Sequence, residues 1–323
     1  MELEVYLNSV KKHWDDPNWW RRVAGQFVVE KSVVKPYFQY VSDYEGIDVM
    51  GEDWDNLVVL DACRYDMFAE QNTIEGRLES RYSRGSNTPE WLRENFAGRT
   101  FEDTVYVTAN PQITVRLPEN PFHDVVNVWT DHWDDDLNTV HPAVMAEETA
   151  KAAERYPDKR VIAHFVQPHY PFIGETGRKV IGQQAGMELS KRMADGANAE
   201  QDDEHVWDKL KRGAIDVETV WTAYRENLDL ALPHVETLLD SLPGTTVVTS
   251  DHGNLLGERP TPCPVPMGMY GHPEGVYTDH LVKVPWLVVE GTERKEVVAE
   301  AAVEGERVTA EETQERLQDL GYL

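Results

Sequence analysis

The sequence predicts an α/β protein with a mixed, mostly parallel sheet sandwiched by helices. Three observations carry that reading. Asn56-Leu57-Val58-Val59-Leu60 and Thr245-Thr246-Val247-Val248-Thr249 are apolar, β-branched runs of the kind that form strands buried on both faces. Each ends in an aspartate, Asp61 directly and Asp251 after Ser250. Further strand candidates at 103–108, 124–129, 160–166 and 284–289 are separated by helical stretches, the pattern of parallel crossovers.

The elements follow in chain order. Residues 1–50 read as a helical N-terminal extension, rich in aromatic and apolar residues (Trp14, Trp19, Trp20, Phe27, Val33, Val34, Tyr37), and 51–323 as the main domain. Core packing or a partner surface is the first reading of that extension; peripheral membrane contact is the lesser one. Pro142 opens a helix over 143–156, as proline suits a first turn. Asp216 is placed to N-cap a helix carrying Val217, Trp221, Tyr224, Leu228 and Val235, which Pro233 should kink or break. Thr309-Ala310-Glu311-Glu312 has capping-box form before a last helix. Residues 174–213 are polar and glycine-rich and predict a surface insertion or lid.

Composition bounds the function. With 323 residues, 41% hydrophobic and ten tryptophans, the chain can bury a large core. It carries 58 acidic against 31 basic residues, net −27. Such a surface argues against nucleic acid, whose binding needs clustered Lys and Arg. Acid spread along the whole chain predicts adaptation to high salt, and with it a haloarchaeal source, because salt screens self-repulsion; an acidic mesophile protein is the alternative. Cys63 and Cys263 make no disulfide framework. The first residues show no secretory pattern and no apolar run approaches about 20 residues, so a cytoplasmic protein is expected.

Strand-end aspartates lie where open α/β sheets bind ligands. Asp61, Asp251 and the adjacent His252 could meet there, and carboxylates with an imidazole suit a divalent cation. Strand-to-helix caps are the competing reading of the two aspartates. Arg84-Gly85-Ser86-Asn87-Thr88-Pro89 precedes a helix, with Thr88 placed as N-cap and Pro89 as first helical residue. A hydroxyl there meets helix-start N–H groups that favour an oxyanion. His164 reads as structural, and Arg64 and Arg84 as either anion clamps or partners of surface carboxylates.

The chain resembles the alkaline phosphatase superfamily, in its sulfatase-like branch. The resemblance rests on Leu60-Asp61-Ala62-Cys63-Arg64-Tyr65-Asp66, Thr249-Ser250-Asp251-His252-Gly253, Gly271-His272, the strand Val284–Val289 and the ending Arg316–Leu323, in family order over 56–323. It implies an alkaline-phosphatase-like fold. It also implies one divalent metal ion (Mn, Zn, Mg or Ca) on Asp61, Thr88, Asp251 and His252. The implied nucleophile is Thr88, with Ser86 the alternative, and His169 and His272 would contact substrate oxygens. The formylglycine motif Cys/Ser-x-Pro-x-Arg is absent: that frame puts Asn87 at the nucleophile and Trp91 at the arginine. Gly85-Ser86-Asn87-Thr88 is more similar to the branch's phosphoglycerol and phosphoethanolamine transferases, which use a threonine. The expected activity is a metal-dependent hydrolase or transferase acting on an anionic phosphate (or sulfate) ester of a glycan, lipid or small molecule. A catalytically degenerate metal-binding or scaffolding protein is the alternative.

Overall fold

A computed structural model describes residues 28–181, 206–291, 293–303 and 310–321. Its centre is a seven-stranded sheet in the order β2-β9-β6-β1-β5-β3-β4. The strands are β1 (Asn56–Leu60), β2 (Arg77–Tyr82), β3 (Phe101–Thr108), β4 (Phe122–Asn127), β5 (Arg160–Phe165), β6 (Thr246–Thr249) and β9 (Lys283–Val289); β7 (Leu255–Leu256) and β8 (Tyr270–Gly271) form a separate ribbon. β1 pairs in parallel with β5 and β6, and β3 with β4 and β5, whereas β9 pairs antiparallel with β2 and β6. The sheet is therefore mixed and mostly parallel, as expected.

Burial explains the central position of β1. All five of its residues are buried, and alternate ones feed opposite layers: Val58 and Leu60 into one core, Leu57 and Val59 into the other. The first core is covered by the helices Pro142–Arg155 and Val217–Leu239, the second by Thr88–Phe96 through Trp91, Leu92 and Phe96. β2 escaped prediction because it is a polar edge strand, Arg-Leu-Glu-Ser-Arg-Tyr, paired on one side only. Val128, placed in a strand by its sequence, instead starts the short helix Val128–Asp131.

The helices expected after Pro142, Asp216 and Thr309 form as Pro142–Arg155, Val217–Leu239 and Ala310–Asp319. His141 accepts the Ala143 N–H at the start of Pro142–Arg155, and Asp216 accepts the Thr219 N–H at 2.8 Å. Pro233 does not break Val217–Leu239. Its buried face, Val220, Ala223, Tyr224, Leu228, Ala231, Leu232, Val235 and Leu238, outweighs the roughly 3 kcal/mol that an interior proline costs.

Of the N-terminal segment, a π-helical turn Glu30–Val34 and a helix Lys35–Tyr40 are described. Val34 and Phe38 pack on Leu255, Cys263, Met269, Val276, Leu281 and Val282. Trp14, Trp19, Trp20, Phe27 and Thr309 lie outside the described residues, as does 182–205 of the 174–213 segment; the helix Val206–Lys211 buries Val206, Trp207 and Leu210. Both cysteines are buried and unpaired. Among the described residues no helix is long and apolar enough to cross a membrane.

Candidate metal centre

β1 and β6 are hydrogen-bonded neighbours with Asn56 opposite Thr246 and Val59 opposite Thr249. The same register carries Asp61 and Asp251 to one sheet edge. The chain turns sharply after Asp61: Ala62 has φ 60°, uncommon for a residue with a side chain. The turn is over-determined. Ala62 N–H donates to Asp251 Oδ1 at 2.9 Å, Cys63 N–H to Ser250 Oγ at 2.8 Å, and the Tyr224 hydroxyl to the Ala62 carbonyl. These bonds hold a conformation that costs about 1 kcal/mol or more. Gly253 follows His252 because a Cβ there would stand 2.2 Å from the His280 carbonyl oxygen.

The turn before Thr88 folds differently from its sequence reading. Asn87, not Thr88, is the N-cap: its carboxamide accepts the Glu90 N–H at 2.8 Å. An amide oxygen satisfies the helix start, so the Thr88 hydroxyl is released from capping and points to the strand-end carboxylates. Gly85 lets this turn lie on its own helix, since a Cβ would sit 2.3 Å from the Trp91 nitrogen. The buried Glu90 carboxylate ties the turn together, accepting Ser86 N–H (2.8 Å), Ser86 Oγ–H (2.7 Å) and Tyr277 OH (2.6 Å).

Four of the expected residues converge. Thr88 Oγ1 lies 2.8 Å from Asp251 Oδ2, 3.4 and 3.5 Å from the Asp61 oxygens and 3.2 Å from His252 Nε2. His252 Nε2 is 3.5 Å from Asp61 Oδ1 and from Asp251 Oδ2. All four side chains are buried. His252 Nδ1 sits 2.8 Å from the Gly253 carbonyl, which can only accept, so Nδ1 carries the proton and Nε2 turns its lone pair to the carboxylates. The donor set fits a small cation. Four ligands about 2.0–2.1 Å from a tetrahedral zinc stand about 3.3–3.4 Å apart. The Thr88 hydroxyl and the His252 Nε2 stand 3.2 Å apart and each lies 2.8 to 3.5 Å from an oxygen of Asp61 and of Asp251, and the two carboxylates have oxygens within 4.8 Å of each other. Two buried carboxylates at one sheet edge call for such a charge.

Burial pushes the Asp251 carboxyl up, but His252, His164, the Ala62 N–H and the Thr88 hydroxyl outweigh it and hold it below the ordinary carboxylate value. His164 is closer to the centre than its structural reading implied: its Nε2 is 3.9 Å from Asp61 Oδ2 and 3.8 Å from Asp251 Oδ2. Asp61, His164 and Asp251 have donor atoms within 4.8 Å of one another. His252 is nearer to both carboxylates, so it is the better-placed imidazole. Burial pushes His164 down to about 4, and its Nδ1 is 2.7 Å from the Tyr106 hydroxyl.

The remaining residues divide. The rings of His169 and His272 are 5.1 Å apart, centroid to centroid, and 6.5 and 4.8 Å from that of His252. His272 is oriented by Asn254, whose Oδ1 is 2.7 Å from Nδ1. Ser86 is not brought to the carboxylates: its hydroxyl bonds Glu90 and the Pro273 carbonyl and accepts the Gly275 N–H. Arg64 is committed to Asp66, Glu258 and the Asn254 carbonyl, and Arg84 to Gly46, Glu94 and Asp48, so neither is available to clamp an anion. Sequence reasoning missed Asn110, whose amide donates to Asp61 Oδ2 at 2.7 Å. It also missed Glu90 as the tie of the turn before Thr88. The Asn87-x-x-Glu90 spacing was a capping signal open to reading; Asn110 carried none.

No protein-family model and no curated protein matches the chain. Solved structures do. The C-terminal periplasmic domain of EptC from Escherichia coli, in complex with Zn, is similar at 14% identity over 76% of this chain and 75% of that one, TM-score 0.45. The soluble domain of lipooligosaccharide phosphoethanolamine transferase A from Neisseria meningitidis is similar at 12% identity over 72% and 75%, TM-score 0.44. A protein in the alkaline phosphatase superfamily from Vibrio parahaemolyticus is similar at 9% identity over 81% and 68%, TM-score 0.39.

Proposed function

We propose that the chain is a one-metal phosphoester transferase or hydrolase of the alkaline phosphatase superfamily, with Thr88 as nucleophile. The observation that carries this reading is the Thr88 hydroxyl, in helix-start position, 2.8 Å from Asp251 Oδ2 and 3.2 Å from His252 Nε2. Asp61, Thr88, Asp251 and His252 would hold the ion. When bound it supplies positive charge to the ester oxygens and lowers the pKa of a coordinated hydroxyl.

This chain's own groups do the rest. Thr88 donates its hydroxyl proton toward Asp251 Oδ2, and its oxygen is then aimed by the Asn87 cap and the Glu90 tie. Attack forms the Oγ1–P bond and breaks the P–O bond to the leaving alcohol. The His169 and His272 rings lie 6.5 and 4.8 Å from that of His252, where an imidazole that has taken up a proton can hold charge on a phosphoryl oxygen or protonate the leaving oxygen. Water or an acceptor hydroxyl then takes the phosphoryl group from Thr88. The substrate is an anionic phosphate ester of a glycan, lipid or small molecule; the missing formylglycine motif argues against a sulfate ester.

The test is turnover of para-nitrophenyl phosphate, its bis ester and para-nitrophenyl sulfate with Mn, Zn, Mg or Ca in molar KCl. Metal-dependent phosphate turnover, lost in Thr88→Ala at a metal concentration that saturates the variant, supports the reading. Sulfate turnover alone would overturn it. One observation favours the second reading, a metal-binding scaffold: Arg64 and Arg84 are both committed to other partners, leaving neither to hold an anion. Bound metal with no turnover of any ester would move the assignment there.

A further inference from the structure

Asn227 is a polar interruption on the buried face of Val217–Leu239, between Tyr224 and Leu228, and it is fully buried. Its surroundings explain it. The Nδ2 amide donates to three carbonyl oxygens of one loop, Pro168 at 3.3 Å, His169 at 3.0 Å and Pro171 at 2.9 Å. Its Oδ1 accepts the Ile173 N–H at 2.8 Å. One carboxamide thus uses both its donors and its acceptor on a single six-residue loop that carries His169. Further bonds of that loop include His169 N–H to the Val166 carbonyl (2.9 Å) and to the Asp61 carbonyl (3.1 Å), and His169 Nδ1 to the Tyr170 carbonyl (2.5 Å). The Tyr170 carbonyl can only accept, so Nδ1 holds the proton and Nε2 is the unprotonated nitrogen of the ring.

The same helix fastens two further segments. Tyr224, one turn before Asn227, bonds the Ala62 carbonyl beside Asp61. Glu226 accepts the Thr176 N–H at 2.7 Å and its hydroxyl at 2.6 Å. A rigid helix therefore sets the spacing between the turn that follows Asp61 and the loop that bears His169.

We propose that Asn227 is a positioning residue that fixes the His169 imidazole against the centre. The proposal rests on the functional reading above for the role of His169, and on hydrogen-bond geometry alone for the positioning itself. In Asn227→Asp an oxygen replaces the amide and faces three carbonyl oxygens, which repels the loop without changing volume. Asn227→Ser, which keeps one donor, is the milder variant. Three readouts test it: kcat and KM, zinc affinity by chelator competition, and the 15N resonances of the His169 ring. In Asn227→Asp, kcat should fall about 10- to 100-fold, as for an ångström-scale misplacement. Zinc affinity should hold within about three-fold, because this amide bonds no side chain of the donor set. The His169 resonances should shift while those of His123, at the other end of the sheet, stay. In a His169→Ala background Asn227→Asp should cost kcat nothing further. Unchanged His169 resonances in either folded variant would overturn the proposal, as would additive losses of kcat with His169→Ala. A wild type without turnover would sink the functional reading and leave the ring resonances to decide this one.

Discussion

Replacing Asp251 with asparagine separates an ion site from a structural cap. Asp251 is fully buried, and its Oδ1 accepts the Ala62 and His252 N–H groups at 2.9 Å. Asparagine keeps that oxygen and both bonds. What changes is Oδ2, which accepts from Thr88; Asp61 and Asp251 have carboxylate oxygens within 4.8 Å of each other. Two carboxylates at that distance repel by about 3 kcal/mol at an effective dielectric of about 20. The lost Thr88 bond costs about 1 kcal/mol. His252 and His164, which help hold the Asp251 carboxyl below its ordinary value, offset that repulsion, so the metal-free Tm does not separate the two readings. The metal increment does. An ion at about 100 times its Kd stabilises by about 2.7 kcal/mol. Over 323 residues the unfolding entropy near Tm is about 0.7 kcal/mol/K, so Tm rises by about 4 °C. A hundred-fold weaker site at the same ion concentration retains about 0.4 kcal/mol, under 1 °C. The assay is calorimetry with chelator or zinc at fixed salt. A variant keeping the full zinc increment would refute the ion-site reasoning and return Asp251 to a cap.

Other perturbations reach the supports of the site. Gly85→Ala places a Cβ 2.3 Å from the Trp91 nitrogen, a backbone atom that cannot yield, and should cost about 3 kcal/mol or more in urea unfolding. Asn87→Ala removes the true cap and should cost about 1 kcal/mol, whereas Thr88→Ala, if Thr88 does no capping, should leave the helix start intact by hydrogen exchange. Burial pushes Asp66 up, but its bonds to and the charge of Arg64 hold it below the ordinary carboxylate value. A depressed carboxylate stabilises fully above about pH 4 and loses that contribution as pH falls through its folded value, so Asp66→Asn should flatten the decline of the urea midpoint below about pH 4. Net charge −27 predicts a Tm that rises with KCl through the molar range; a salt-independent Tm would remove the high-salt reading.

The fold was largely legible because buried parallel strands must be apolar on both faces. Six runs, at 56–60, 103–108, 124–129, 160–166, 245–249 and 284–289, correspond to β1, β3, β4, β5, β6 and β9 within a few residues. Edge strand β2 was hidden because half-exposed pairing tolerates Arg and Glu. The helices at Pro142 and Asp216 were announced by their first residues, since capping is a local bond. The span through Pro233 was not, since long-range packing outweighs a local penalty there.

By itself the sequence singled out strand-end Asp61, Asp251 and His252, and a hydroxyl before a helix, because these are local patterns with local physical causes. Tertiary structure alone decided which of them meet. The register of β1 on β6 puts both aspartates at one edge, and Asn87 takes the cap so that Thr88 turns to them while Ser86 turns away to Glu90. It alone placed His164 beside the carboxylates, Asn110 on Asp61 and Asn227 under the His169 loop. A hydrogen bond between residues 49 or 58 positions apart has no spacing rule, because its partner is chosen by how the layers pack and not by the chain between them.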